Sequence, residues 1–262
     1  DKWQRVWKVS RAQIDAHIQA FSAGDPSYHI PEAILHWPGN GDPAKGQHAQ
    51  LARYMDLNGN GIYEPALGEY PLILGDQCVL SIYNDMNADM DLLFSSAATK
   101  LGAEILEYLY AFDCPTDSAL QNTLFLHYEI HRTAPISLYN TYVGHFVDID
   151  INNAMNDYVS TDPVRGISYT RDADATGPEQ AYLILGSTMD EDDLDNSAGI
   201  GSNSTPNGFG YGDGIIDNER LGMTNALFYN NSGGANGEPS NPGDYYRYLQ
   251  SIWLNGSPVT YG

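Results

Sequence analysis

Residues 56–71 read DLNGNGIYEPALGEYP, in which oxygen-bearing side chains alternate with small or apolar residues. Asp56, Asn58 and Asn60 stand at positions one, three and five of an EF-hand-type calcium loop, Gly61 at six, and the carbonyl of Ile62 at seven. A calcium ion takes roughly six to eight oxygens at ~2.3–2.6 Å, so the chain must curl tightly around it, which glycine permits. The second half departs from this pattern. Glu64 falls at nine, but position twelve, where a bidentate glutamate normally closes the cage, is Leu67, so closure would fall to Glu69 or the more distant Asp76. The same letters also build a metal-free asparagine-glycine turn, because Asn and Asp tolerate left-handed backbone.

Two other stretches are rich in acidic oxygen. In FVDIDINNAMNDYVSTD, Asp148 and Asp150 leave the end of an expected strand on one face, and Asp157 and Asp162 return after a polar loop. That set suits a hard cation, a solvated loop, or an acid and base pair for glycoside hydrolysis, which needs carboxyls ~5–10 Å apart. In GYGDGIIDNERLGM, Asp213, the carbonyl of Ile215, Asp217 and Glu219 follow the closing half of a calcium loop and resemble thrombospondin type 3 repeats. Phe209 and Tyr211 occupy the places that should give oxygen there. The missing ligands would come from another segment, such as the acidic run DEDDLDN at 190–196. HYEIH, within 122–133, aims His127, Glu129 and His131 at one strand face. At ~3.3 Å per residue the outer histidines stand on the order of 13 Å apart, so a polar strand face is the expected reading.

The elements that carry these residues are mostly strands. EILEYLYAFD (104–113), NTLFLHYEIHRT (122–133) and YNTYVGHFVDIDI (139–151) are β-branched and aromatic, separated by short polar clusters, and RGISYTRD and AYLILGSTM continue the pattern. One helix is predicted over RAQIDAHIQAFSAG, capped by Ser10, striped by Ile14, Ile18 and Phe21, and stopped by Gly24. The expected fold is mainly β, an antiparallel β-sandwich-like domain with long calcium-binding loops and one short N-terminal helix. A single domain over 1–262 is expected, with a helix- and loop-rich part (1–100), core strands (101–190) and a loop-rich end (191–262).

Charge and composition narrow the functional classes. With 34 acidic against 12 basic residues, a net charge of -22 repels nucleic acid and anionic membranes. Tyrosine (19) outnumbers phenylalanine (7) and tryptophan (4), which suits half-buried strands with wet hydroxyl ends. No apolar run of 18 or more residues spans a bilayer, and DKWQRVWKVS holds no hydrophobic signal core. The chain reads as a piece of a longer, processed protein. Cys78 and Cys114 form either one bridge or two buried thiols. No nucleophile elbow, phosphate loop or dinucleotide fingerprint occurs.

Taken in order, DLNGNGIYEPALGEYP, GDQ, NTLFLHYEIHRT, TYVGHFVDIDI, NDYVSTD and GFGYGDGIIDNERLGM resemble a group of large cargo proteins of the bacterial type IX secretion system, over nearly the whole chain. Members commonly carry Gly-Cys where Ser160 and Thr161 stand, and two aspartates where Asn156 and Asp157 stand. The resemblance implies a secreted, cell-surface protein of a Gram-negative bacterium, calcium-stabilised and β-rich, and names no reaction. Asp117-Ser118-Ala119 is also similar to the O-glycosylation acceptor of bacteria with this pathway. The function expected is a non-catalytic structural or adhesive module, with calcium as cofactor, assembling with copies of itself or other surface proteins in a layer or filament. The alternatives are a polysaccharide hydrolase and a carbohydrate-binding domain, with glycan as partner.

Overall fold

The computed structural model describes residues 5–85, 100–133, 137–153, 155–174, 176–188, 207–211, 213–216, 218–231 and 233–260. It is mainly β, with antiparallel sheets and, among the described residues, four α-helices. The described chain divides into two compact units, residues up to 137 and residues from 138 onward.

In the first unit, strands β1 (Trp7–Ser10), β4 (Gln77–Asn84), β5 (Ala103–Ala111) and β6 (Phe125–Arg132) form one antiparallel sheet in the order β1-β4-β5-β6. The period-2 alternation of β5 explains its burial: Glu104, Leu106 and Tyr108 point inward, while Ile105, Glu107 and Leu109 are half-exposed. Trp7 and Val9 of β1 and Cys78 and Leu80 of β4 join Leu106 and Tyr108 in the core. Helix α1 (Arg11–Ala23) follows β1 directly. Ser10 accepts the Gln13 N–H while the Gln13 side chain accepts the Ser10 N–H, a capping box, and Gly24 ends the helix at φ 63°. Its inner stripe differs from the expected one: Ile14 and His17 are buried, whereas Phe21 is 36% exposed. The remaining elements are the short helix α2 (Glu32–Leu35), the two-residue ladder β2 (Tyr54–Met55) with β3 (Tyr70–Pro71), and helix α3 (Ser118–Gln121). Cys78 and Cys114 are free thiols, and burial pushes that of Cys78 up to about 11.

In the second unit, β7 (Tyr158–Asp162), β8 (Ile167–Arg171) and β9 (Glu179–Leu183) form a three-stranded antiparallel sheet, and helix α4 (Pro242–Leu249) starts on an Asn241 cap. The strand expected over 139–151 is absent. Asn140 and Asn152 take left-handed backbone at its two ends (φ 51° and 53°), and the segment packs on α4 and, through His145 stacked on Tyr182, on β9, without pairing as a strand. Gly144 abuts Leu249, the Tyr246 hydroxyl donates to Asn140 O at 2.9 Å, and Tyr142 meets Tyr246 edge-on. The expected polar loop lies between Asp150 and Asp157, and strand β7 begins directly after it. Buried apolar residues are few among the described residues of this unit. Ile151, Met223 and Tyr248 are matched by buried Thr170, Asp172, Glu219 and Asp244.

Candidate calcium loops and the buried carboxylates

Three anchors hold loop 56–69 at its ends and middle. The β2–β3 ladder pairs Tyr54 with Pro71 and Met55 with Tyr70, closing the two ends. Asn40 accepts the Tyr63 N–H at 2.7 Å and donates to the Tyr63 carbonyl at 2.9 Å. From α1, His17 Nε2 reaches the Glu69 carbonyl at 3.1 Å while its Nδ1 meets the Tyr28 hydroxyl at 3.0 Å. A neutral ring protonated on Nε2 satisfies both contacts, and burial lowers the His17 pKa accordingly.

Inside the loop the oxygens turn inward. Asp56 accepts the N–H groups of Gly59 (2.8 Å), Asn60 (3.3 Å) and Gly61 (2.7 Å), and Gly59 and Gly61 take φ 73° and 74° to present them. The Gly61 N–H leads the causes that hold Asp56 below the usual carboxylate range. Asn58 and Asn60 each accept a backbone N–H two residues on, and both donate their amides to one oxygen of Glu64, at 3.1 and 2.7 Å. Glu69 is fully buried and accepts the Leu57 and Glu64 N–H groups at 3.1 and 2.7 Å. Its carboxyl also lies in hydrogen-bonding contact with Asp56. Of the two residues expected to close the loop, Glu69 lies in it, while Asp76 turns to the Asp113 N–H at 2.9 Å. The Ile62 side chain is exposed, leaving its carbonyl as the group it can offer.

The second set is brought together only in part. Asp157 accepts the Ile151 N–H at 2.8 Å with one oxygen, and its other oxygen is buried without a hydrogen-bond partner, as is Asn156 Oδ1. Asp148 and Asp150 are exposed and form no hydrogen bond or ion pair with Asp157. The organising residue is Asp172, which the sequence did not single out. It is 3% exposed, accepts from Asp174 N (2.9 Å), Asn152 (2.8 Å) and Asn156 (3.2 Å), and is held below the usual range, chiefly by the Asp174 N–H.

In the third set, Asp213 accepts the Asn218 amide at 2.9 Å and the Ile215 N–H at 2.8 Å, which together lower its pKa. Glu219 is fully buried. Asp217 and the run 190–196 lie outside the described residues.

HYEIH lies on β6 as expected, but its polar face turns inward and converges on one carboxylate. Glu129 has His127 Nε2 at 3.4 Å, His131 Nε2 at 3.6 Å and the Arg53 guanidinium beside it. Burial opposes ionisation of Glu129, but His127 and Arg53 outweigh it and its pKa falls. Glu104, directly opposite His131, accepts the His48 N–H at 3.1 Å, and its second oxygen is buried without a hydrogen-bond partner.

Among the described residues, no three His, Cys, Asp or Glu side chains stand where they could hold a metal by themselves. In loop 56–69 the remaining oxygens would be the Asn58 and Asn60 amides and the Ile62 carbonyl, which are hard-cation ligands. Sequence reasoning missed His17 and Asp172, whose partners are distant in the chain. The part played by Glu64 was signalled by its place at position nine. Compared with protein-family models, curated proteins and solved structures, the chain shows no match.

Proposed function

We propose that the chain is a calcium-ordered, sandwich-like extracellular module that acts by contact rather than by turnover. The observation that carries this reading is loop 56–69, where Asp56, Asn58, Asn60, Glu64 and buried Glu69 turn their polar groups toward one another. Protein N–H groups occupy several of those oxygens, and a bound cation would compete for the others. The resemblance to type IX secretion cargo supports a secreted, cell-surface setting, and the charge of -22 suits a calcium-rich exterior. Its partners in this reading are copies of itself or other surface proteins, with surface glycan as a further candidate. Ser118 of the Asp117-Ser118-Ala119 tripeptide is exposed at the start of α3, where a glycan can be accommodated.

Calcium titration by calorimetry, with thermal unfolding in calcium and in chelator, tests the proposal. A ligand bound only by the folded state stabilises it by about 2.7 kcal/mol at a hundredfold excess over Kd. A melting curve indifferent to chelator would remove the calcium reading. Hydrolysis of a polysaccharide panel, abolished by Asp148→Asn or Asp150→Asn, would replace contact with catalysis.

A further inference from the structure

A cleft in the first unit, apart from loop 56–69, sets Arg53, Tyr108, His127 and Glu129 over an apolar floor of Leu72, Ile73 and Leu74. Its cavity volume is about 100 Å³ and its mouth is open to solvent, room for part of a ligand rather than for the whole of one. Tyr108 faces His127 and Leu106 faces Glu129 across β5 and β6, so both β6 side chains share the inner face of the sheet. Among the described residues β6 is the edge strand of that sheet. Arg53 is positioned by its backbone: its N–H donates to the Tyr108 hydroxyl at 3.2 Å, and its carbonyl accepts from Trp37 Nε1 and the Leu72 N–H, both at 3.0 Å. Its Nε contacts Glu129, while its two Nη groups have no other partner among the described residues and the side chain is 54% exposed. Leu72 and Leu74 are each 38% exposed beside it.

These groups select by elimination. An anion would meet Glu129 and a net charge of -22, and a cation would meet Arg53. A purely apolar ligand would bury the Nη groups unpaired, at a cost of roughly 1–3 kcal/mol for each lost bond. A neutral polyol both donates and accepts, and a pyranose adds an apolar C–H face. We propose that this cleft binds a neutral saccharide. One hydroxyl of a vicinal pair accepts from Arg53 Nη, its neighbour donates to Glu129, and the C–H face lies on Leu72 and Leu74.

The experiment is NMR titration of the calcium-loaded full chain with glucose, galactose, mannose, N-acetylglucosamine and their short oligomers. At least one saccharide should shift the amides of residues 53, 72–74, 127 and 129. Arg53→Met and Glu129→Gln should each weaken it tenfold or more, and Leu74→Ala several-fold, while Asp113→Asn leaves affinity unchanged. Leu74 is at the surface, so its variant keeps the test informative if Glu129→Gln fails to fold. A panel that leaves those resonances in place overturns the proposal, as do folded variants that bind like the parent chain. Shifts produced by acetate or phosphate instead would replace the saccharide with an anion. Each of these outcomes is independent of calcium binding, which is read separately by calorimetry.

Discussion

Two buried residues, Glu69 and His17, tie loop 56–69 to the core, and they should fail in different ways. Glu69 accepts two backbone N–H groups from a fully buried position, so Glu69→Ala strands both donors. At roughly 1–3 kcal/mol per buried unsatisfied group, a loss of about 2–6 kcal/mol is expected in urea unfolding even in chelator. Calcium affinity should fall as well. Asp76→Asn, on a residue that faces Asp113, should leave calcium affinity unchanged, and equal losses from the two variants would show that Glu69 does not close the loop. His17 responds to pH. Its folded pKa lies below the ordinary 6.5, so the unfolded chain binds more protons as pH falls through 6.5 toward the folded value. Its contribution is therefore complete above that window and is lost as pH falls through it. Urea midpoints at pH 7.5 and 5.5 should differ in this direction, and His17→Gln should be weaker at pH 7.5 but flatter between the two. An equal slope in the variant would assign the acid sensitivity to other groups.

Helix α4 and the segment before β7 make a contact that one methyl group can test. A Cβ at Gly144 would meet Leu249 Cδ2 at 2.3 Å, so Gly144→Ala displaces that terminal methyl and should cost about 1 kcal/mol or less. Leu249→Ala in the same chain should recover part of that loss, as a double-mutant cycle would reveal, and strictly additive losses would deny the contact. The same segment shows where the sequence stops being readable. YNTYVGHFVDIDI alternates as convincingly as β5 or β6, yet among the described residues no strand pairs with it: Asn140 and Asn152 break the extended run at its ends, and Leu249 of α4 lies against Gly144. Strand alternation reports a chain that can pair, not one that has a partner. The α1 caps, by contrast, were legible because Ser10, Gln13 and Gly24 act within a few residues of the helix they end. For the site, the inward turn of Asp56, Asn58 and Asn60 was legible through local spacing, whereas Glu69 stood only as an alternative to Asp76 because the closing position holds Leu67. His17 and Asp172 were not, since one bonds Glu69 across 52 residues and the other gathers Asn152 and Asn156 from 20 and 16 residues away.

Across the whole molecule, the balance between burial and charge decides how the chain meets its partners. The first unit has a contiguous apolar core around Trp7, Ile14, Leu80 and Leu106, whereas the described part of the second buries as many polar as apolar side chains. With so little apolar burial among its described residues, this unit gains little from the hydrophobic term and depends more on its polar network. At -22, two copies repel, and at 0.15 M ionic strength the screening length is still about 8 Å, so monovalent salt leaves close-range repulsion in place. A divalent cation seated among carboxylates removes charge at the point of contact. Self-association should therefore appear with millimolar calcium and vanish with chelator, while sodium chloride at matched ionic strength should not replace calcium. Sedimentation velocity under the three conditions measures this directly. A chain that remains monomeric in calcium, or that assembles equally in sodium chloride, would shift the contact function away from self-association and toward a different surface protein or glycan.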